Sequence, residues 1–249
     1  MTGKRPLVAV LTGAGISTDS GIPDYRGPQG LWQRDPSAQE TVTIGPYLAS
    51  GEVRRRAWLM RRDAGAVGAV PNAGHRALVE LERAGVPVRV LTQNVDGLHQ
   101  AAGLPARKVV ELHGTATEVQ CVRCRTTGPM ADALERVAAG EDDPACEQCG
   151  GVLRPRTVMF GEALDERVLQ QADAVAKNCQ VFLAVDSSLQ VHPAALLPRI
   201  ALERGARLIV VNGEPTAYDE AAHEVVRTPI SQALPELVAR LVDGDLSEV

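Results

Sequence analysis

The stretch Leu7–Ser17, which reads LVAVLTGAGIS, decides the fold class of this chain. It begins with the continuous apolar run Leu7–Leu11, which is typical of a strand buried on both faces of a parallel sheet. The turn Gly13–Gly15 follows directly. Glycines there let a phosphate approach the backbone, and a helix starting at the turn offers free N–H groups. Thr18 stands where a third glycine is usual, so a plain tight turn fits this short motif as well.

Further apolar runs occur later in the chain, and helical patterns separate them. The predicted strands are Val88–Thr92, Val181–Val185 and Arg207–Val211. The predicted helices cover roughly Arg54–Asp63, His75–Ala84, Glu166–Lys177, Ala194–Arg204 and Ser231–Val242. A glycine follows three of them, as is common at helix ends: Gly85, Gly205 and Gly244. This alternation predicts an α/β fold with a Rossmann-like, doubly wound parallel sheet.

The composition limits the possible partners. The chain has 249 residues, is 45% hydrophobic and carries a formal net charge of -5. An excess of acidic residues argues against a nucleic-acid partner, because phosphate backbones attract basic proteins. Charged residues interrupt every apolar run that could span a membrane, and the N-terminus lacks a signal-peptide core. We therefore expect a cytoplasmic monomer without a membrane partner or a fused targeting domain.

Four of the 5 cysteines form two C-x2-C pairs that are separated by 21 residues: Cys121, Cys124, Cys146 and Cys149. Two such pairs complete a closed tetrahedral thiolate set, which suits a structural Zn²⁺ ion. Metal binding is the usual role of paired cysteines in a reducing compartment, and two disulfides or four buried thiols are the alternatives. Cys179, at the start of a buried run, is predicted to be a core residue.

Two segments break the alternation of strands and helices. One contains the paired cysteines, and the other has a helical pattern. We predict a Rossmann-like domain formed by residues 1–32, 72–114 and 154–249. The insertions are a zinc-ribbon module of residues 115–153 and a helical insertion of residues 33–71.

Polar motifs follow two predicted strands. Thr92–His99 reads TQNVDGLH, and Glu111–Gly114 reads ELHG. The carboxyl ends of parallel strands border the crevice in which α/β sheets bind ligands. His113 could serve there as a general base, because an imidazole titrates near neutrality, although a lone histidine is more often structural.

The ordered set of motifs resembles the sirtuin family of NAD-dependent protein deacylases, from about residue 7 to residue 242. The motifs are GAGIS with SGIPDYR, PNAGH, TQNVDGLH, ELHG, the two C-x2-C pairs, RPRTVMFGE, NGEPT and ALPEL. The resemblance implies a Rossmann-like domain, a zinc module and a substrate cleft between them. It also implies that an acetylated protein lysine attacks the ribose of NAD through its acyl oxygen. Nicotinamide then leaves, and the acyl group passes to ADP-ribose.

The resemblance further implies a role for individual residues. His113 would be the base, and Asn94 would share the catalytic site. The residues implied in NAD binding are Gly13, Ala14, Gly15, Ile22, Asp24, Tyr25, Arg26, Trp32, Gln93, Asn94, Val95, Asp96, Asp186, Ser187, Ser188, Asn212, Gly213, Glu214 and Ile230. The residues implied in substrate binding, through an added peptide strand and a tunnel for the acyl-lysine, are Val158, Met159, Phe160, Gly161 and Glu162.

The chain departs from the family pattern at a few positions. Asp186 stands where sirtuins normally have glycine, before Ser187 and Ser188. A carboxylate about 5 Å from a phosphate charge, at an effective dielectric constant of about 20, would be repelled by about 3 kcal/mol. Alternatively, the side chain points to solvent or bonds to a ribose hydroxyl. Trp58-x-x-Arg61 replaces the Tyr-x-x-Arg of acid-preferring sirtuins, which favours neutral acyl groups.

Two other functions are compatible with these residues. One is mono-ADP-ribosyl transfer, in which a protein nucleophile captures the ribose. The other is a catalytically weak module that senses NAD or binds proteins. Intact His113, Asn94 and Asp96 favour deacylation over the second alternative, whereas Asp186 favours that alternative.

Overall fold

The computed structural model describes residues 5–24, 35–63 and 69–245. Three predicted NAD-binding residues, Tyr25, Arg26 and Trp32, lie outside these ranges.

A six-stranded parallel sheet forms the centre of the described chain. Its strands are β1 (Val8–Thr12), β2 (Val88–Thr92), β3 (Val109–Glu111), β7 (Val181–Val185), β8 (Arg207–Val211) and β9 (Glu224–Val226). The order β3-β2-β1-β7-β8-β9 reverses direction between β1 and β7, as in a Rossmann fold. The predicted fold class is confirmed. The bounds of β2, β7 and β8 are those predicted, and β1 lies one residue later than its prediction.

Helices cover both faces of this sheet. On one face, Ala73–Arg83 and Ile230–Asp243 pack in a cluster that includes Val8 and Val10. On the other face, Glu166–Asn178 and Leu197–Glu203 pack in a cluster that includes Ala9 and Leu11. Consecutive residues of β1 thus enter opposite cores, which is why the strand is apolar throughout. Cys179 belongs to the second cluster, as predicted.

A smaller antiparallel sheet lies beside the parallel one. Its order is β5-β4-β6, with β4 at Gly114–Cys121, β5 at Thr127–Pro129 and β6 at Leu153–Thr157. The helix Met130–Ala138 packs against this sheet in a cluster that includes Cys121 and Cys146. Strand β6 begins at Leu153, the last residue of the predicted zinc-ribbon module, and continues to Thr157.

The described part of the predicted helical insertion consists of a 3₁₀ helix, Pro36–Val42, and the helices Ile44–Ala49 and Gly51–Asp63. It packs against the cysteine module, where Trp58 is 0% exposed. Arg54 and Asp143 form an ion pair of 2.8 Å between the two parts. Because Trp58 is buried in this cluster, its position does not support the predicted preference for neutral acyl groups, which stays a prediction.

The helix predicted after the glycine turn is a 3₁₀ helix, Ala14–Ser20. It ends at Gly21, whose φ of 84° is left-handed. A short helix, Leu98–Ala101, and a 3₁₀ turn, Ala106–Lys108, lie between β2 and β3 and were not predicted. Among the described residues, no helix combines the length and the apolar character that a membrane crossing requires.

Candidate active site and zinc centre

The ends of four neighbouring strands meet at the carboxyl edge of the parallel sheet. Gly13 follows β1 and donates its N–H to the Val185 carbonyl at 3.0 Å. Gln93 follows β2 and donates its N–H to the Thr12 carbonyl at 2.9 Å. Asp186 continues the same ladder after β7, where its N–H donates to Val211 of β8 at 2.8 Å. Residues far apart in sequence therefore share one edge, at the point where the strand order reverses.

His113 lies at the seam between the two sheets. Gly114, the next residue, has a φ of 73°, and a Cβ there would lie 2.3 Å from the Arg156 carbonyl oxygen. The His113 carbonyl accepts the N–H of Val158 at 2.8 Å. Because only glycine tolerates both this φ and this close approach, the L-H-G sequence fixes the imidazole where β3 passes into β4.

The imidazole of His113 has a defined tautomer. Its Nδ1 lies 2.9 Å from the carbonyl oxygen of Gln93. A carbonyl oxygen can only accept, so Nδ1 carries the proton and Nε2 retains its lone pair. Burial lowers the pKa of His113, and the Gln93 carbonyl partly opposes this shift. The ring is therefore neutral near pH 7 and presents a basic nitrogen.

A hydrogen-bonded group connects the glycine turn to the segment after β2. Ser17 Oγ donates to Asp96 Oδ2 at 2.7 Å and accepts from Asn94 Nδ2 at 3.2 Å. The Asn94 N–H donates to Thr92 Oγ1 at 3.0 Å. Asp96 Oδ1 accepts the N–H of Leu98 at 2.9 Å. Ser17 was not among the predicted site residues, although its place in GAGIS and its polarity could have indicated it.

Another group connects the ends of β2, β7 and β8. Gln93 Nε2 donates to Ser187 Oγ at 2.7 Å. Asn212 Nδ2 donates to the Ser187 carbonyl at 3.1 Å. Ser187 and Asn212 are buried, whereas Ser188 is exposed. Three predicted cofactor residues therefore hold one another in place at this edge.

The remaining described candidates differ in how deeply they are buried. The Val95 carbonyl accepts the N–H of Ala116 at 2.8 Å, which joins the segment after β2 to the smaller sheet. Ile22 is partly buried after the 3₁₀ helix, and Ile230 is partly buried against the core. Gly213 and Glu214 are exposed after β8.

The side chain of Asp186 lies against the glycine turn. A Cβ built on Gly15 would lie 1.5 Å from Asp186 Oδ2. Burial, together with the negative charges of Asp24 and Asp19, raises the pKa of Asp186 to about 6. Asp186 has a φ of 48°, a conformation that aspartate tolerates better than most residues. The carboxylate therefore faces the turn, and the alternative that it points to solvent is wrong.

The four paired cysteines form a compact thiol cluster. Their sulfur atoms all lie within 4.8 Å of one another. The Sγ atoms of Cys121 and Cys149 are 3.5 Å apart, and those of Cys124 and Cys146 are 3.6 Å apart. A tetrahedral Zn²⁺ with bonds of about 2.3 Å requires sulfur separations of about 3.8 Å. All four cysteines are free thiols, so the disulfide alternative is wrong and the set fits a structural zinc ion.

Comparison with known proteins identifies the family. The model of the Sir2 family matches residues 13–193, which is more than half of the chain. This chain belongs to the Sir2 family. The match begins at the glycine turn and includes Asn94, His113 and the four cysteines.

Curated Sir2 relatives cover nearly the whole chain. This chain is 66% identical over 241 residues to NAD-dependent protein deacetylase 2 of Streptomyces coelicolor, and the match covers 97% of this chain and 100% of that protein. It is 45% identical over 244 residues to the NAD-dependent protein deacetylase of Caldivirga maquilingensis, covering 98% and 91%.

Solved Sir2 structures share the fold. One, reported as "Structural Basis for the Mechanism and Regulation of Sir2 Enzymes", has a TM-score of 0.85 and 40% identity, covering 96% of this chain and 93% of that chain. Another, Sir2Tm bound to a propionylated peptide, has a TM-score of 0.83 and 32% identity, covering 97% and 94%.

In this Sir2 chain an ion pair shapes the segment that is expected to bind substrate. Both carboxylate oxygens of Glu162 accept from the guanidinium of Arg154, at 2.6 and 2.7 Å. Glu162 Oε2 also accepts the N–H of Met159 at 2.9 Å, and Arg154 donates to the Thr157 carbonyl at 2.7 Å. Burial opposes ionisation of Glu162, but Arg154 and the Met159 N–H outweigh it, and the pKa of Glu162 is lowered. The charged pair thus closes the loop between Arg154 and Glu162.

The main chain of Phe160 is engaged on the side of the helical insertion. Its N–H donates to the Val42 carbonyl at 2.8 Å, and its carbonyl accepts the N–H of Ile44 at 3.0 Å. Both main-chain groups of Phe160 are therefore already bonded within the chain.

Proposed function

We propose that this chain is an NAD-dependent protein-lysine deacetylase, which transfers the acyl group from lysine to ADP-ribose with release of nicotinamide. The observation that carries the proposal is a neutral imidazole at the seam of the two sheets, bonded to Gln93. The Gln93 N–H in turn bonds to Thr12, which precedes the glycine turn at the switch point of the Rossmann-like sheet. The chain's high identity to a curated deacetylase over its whole length supports the same activity.

The glycine turn fits a dinucleotide. Gly13 lies so close to the end of β7 that a Cβ would be 2.3 Å from the Asp186 carbonyl oxygen, so only glycine fits at this position. Gly13, Ala14 and Gly15 would hold the pyrophosphate, as the resemblance implies. Asp24 would belong to the same part of the site, together with Tyr25, Arg26 and Trp32, which lie outside the described residues.

The polar groups at the strand ends would hold the rest of NAD. Ile22, Val95 and Asp96 would lie at the nicotinamide end, with Gln93 and Asn94 along its ribose. Asn212, Gly213 and Glu214 would reach the adenosine ribose, Ser187 and Ser188 would line the middle, and Ile230 would lie against adenine. NAD supplies a ribose carbon that becomes electrophilic as nicotinamide leaves. The chain's part is to exclude water from that carbon and to hold the groups around it.

His113 is the proposed base. Its Nδ1–H is held by the Gln93 carbonyl, so Nε2 is the atom that takes a proton from a ribose hydroxyl. The lowered pKa keeps this nitrogen unprotonated at neutral pH. When Nε2 accepts the proton, the Gln93 carbonyl stabilises the resulting positive charge. General-base catalysis of this kind contributes about 10²- to 10⁴-fold to rate.

Asn94 is the proposed second catalytic residue. Its side-chain amide donates to Ser17, which leaves Oδ1 free of hydrogen bonds to the described residues. An amide oxygen in that position would face the ribose carbon as positive charge develops on it.

The partners and setting follow the same reasoning. We propose acetylated protein lysines as substrates, held by Val158–Glu162, and zinc as a structural ion. We also propose a cytoplasmic monomer without nucleic-acid or membrane partners, as expected from the sequence.

The test incubates the protein with an acetyl-lysine peptide, with and without NAD, and measures nicotinamide release. Mass spectrometry should find acetyl-ADP-ribose, whereas ADP-ribosylated protein would indicate the transferase alternative. His113→Ala is expected to lower kcat by at least about 10²-fold, with zinc content unchanged. His223→Ala is the matched control, because His223 Nδ1 also bonds to the backbone, at Leu208, but at the opposite edge of the sheet. Turnover that persists in His113→Ala would remove His113 as the base.

A further inference from the structure

The PNAGH motif places an asparagine, Asn72, against the cofactor turn. Asn72 Nδ2 donates to the Ile16 carbonyl at 2.7 Å and to Ser20 Oγ at 3.0 Å. Its Oδ1 accepts the N–H groups of Gly74 and His75, at 3.0 and 3.3 Å. Only one orientation of the amide satisfies all four contacts, because the carbonyl must face the N–H groups. Asn72 therefore caps one helix and holds a second segment at the same time.

The held segment, the 3₁₀ helix Ala14–Ser20, has 7 residues. Such helices rarely exceed about four residues, because their hydrogen bonds are poorly aligned. The capped helix, Ala73–Arg83, is by contrast fixed in the core through buried residues that include Leu78 and Leu81. The amide of Asn72 thus attaches a weakly self-supporting segment to a rigid one.

This attachment acts next to the groups assigned to NAD. Ser17, which follows Ile16, holds Asp96 and Asn94. On the other side of the same helix start, a Cβ on Gly74 would lie 3.0 Å from Ile230, the residue assigned to adenine. The start of helix Ala73–Arg83 therefore lies next to Ile230 at one end of the proposed dinucleotide site and is linked to the other end through Ile16 and Ser17.

We propose that Asn72 is a positioning residue for NAD: its amide holds the 3₁₀ helix Ala14–Ser20 in the shape that binds the cosubstrate. The inference rests on the proposed function. Loss of the amide lets the glycine turn and Ser17 move apart from Asn94 and Asp96, which weakens NAD binding. The peptide segment Val158–Glu162 has no contact with Asn72 among the hydrogen bonds of the described residues and is unaffected.

The test is Asn72→Ser, because serine caps a helix about as well as asparagine but is too short to reach Ile16 and Ser20. The control is Asp165→Ser at the start of helix Glu166–Asn178, where the side chain only accepts, from Arg167 and Val168. Asn72→Ser is expected to raise KM for NAD about tenfold, from the loss of two hydrogen bonds. The kcat at saturating NAD and KM for the acetyl-lysine peptide should stay within about twofold of the wild type. Partial unfolding would lower kcat and leave KM for NAD unchanged.

Ser20→Ala gives a graded second variant, since it removes one acceptor and leaves the cap intact. An increase of about threefold in KM for NAD is expected. If Asn72→Ser does not fold, the KM for NAD of Ser20→Ala is compared with that of Asp165→Ser instead. A KM for NAD that changes no more than in Asp165→Ser overturns the inference, provided the wild type binds and consumes NAD. A wild type that neither binds NAD nor deacetylates the peptide removes the proposed function and this inference together.

Discussion

Asp186 should oppose NAD binding through its charge. Its carboxylate lies against Gly15 in the turn proposed to hold the pyrophosphate, and its pKa is raised to about 6. Two substitutions separate charge from bulk. Asp186→Asn keeps the shape and tolerates the left-handed backbone, whereas Asp186→Gly removes the side chain altogether.

Protonation limits the size of the effect. Direct repulsion from a phosphate charge about 5 Å away would be about 3 kcal/mol at an effective dielectric constant of about 20. At about pH 7.5, however, a carboxyl with a pKa of about 6 can be protonated for about 2 kcal/mol, at about 1.4 kcal/mol per pH unit. When NAD is bound, Asp186 is therefore protonated, because protonation costs less free energy than the repulsion. NAD binding by the wild type should therefore be weakened by at most about 2 kcal/mol, or about thirtyfold in Kd.

The measurement is titration calorimetry with NAD between about pH 6 and 8. Above the pKa, the wild-type Kd should rise by up to about tenfold per pH unit, because binding takes up a proton. Repeating the titration in buffers of different ionisation enthalpy measures that uptake directly. Both variants should bind more tightly at pH 7.5, with a Kd that varies little with pH. A Kd that is unchanged in both variants, or a wild-type Kd independent of pH, would refute the reasoning.

Three further predictions concern the substrate loop, the buried histidines and the zinc centre. Glu162→Gln should raise KM for the acetyl-lysine peptide severalfold and leave KM for NAD unchanged, because it opens the bidentate pair with Arg154. Glu224→Gln is the matched control, since Glu224 forms the same kind of pair with Arg240 at 2.7 and 2.8 Å, and an equal KM in both variants would contradict the loop's role. Burial is the main cause that lowers the pKa of His99 to about 3, and the neighbouring His75 lowers it further. Below about pH 6.5 the unfolded chain therefore binds more protons than the folded chain, so the free energy of unfolding falls as the pH falls. Urea unfolding should show a loss of up to about 1.4 kcal/mol per pH unit from about pH 6.5 towards pH 3, and His99→Phe should reduce that slope. Cys149→Ser should lose zinc, as measured by metal analysis, and unfold the cysteine module, as measured by proteolysis. The control Cys179→Ser should retain one zinc ion per chain. Zinc retained in Cys149→Ser would exclude the closed four-thiolate site.

Much of the fold could be predicted because its signals are local. A strand buried on both faces must be apolar at every position, so β2, β7 and β8 could be assigned to the residue. Two-residue cysteine spacing similarly constrains the metal geometry within one turn. Short strands such as β3 and β9 carry only 3 residues each, too few for a pattern, and were not assigned bounds.

The candidate site was predicted less completely. His113 and Asn94 lie in motifs that follow strands, and the resemblance to the sirtuins added their roles. Ser17 and Asn72 were not assigned to the site, because their importance lies in partners far away in sequence. Ser17 bonds to Asp96 over a separation of 79 residues, and Asn72 bonds to Ile16 over a separation of 56.

The sequence by itself determined the α/β class, the thiolate set and the family, because periodicity, spacing and motif order are properties of the chain. Tertiary structure alone decided the direction of Asp186, which depends on the backbone angle at the end of β7 and on how closely β1 approaches it. It also decided the tautomer of His113, which depends on the Gln93 carbonyl. Hydrogen bonds and charges act over a few ångströms, and only the packed sheets bring these groups within that range.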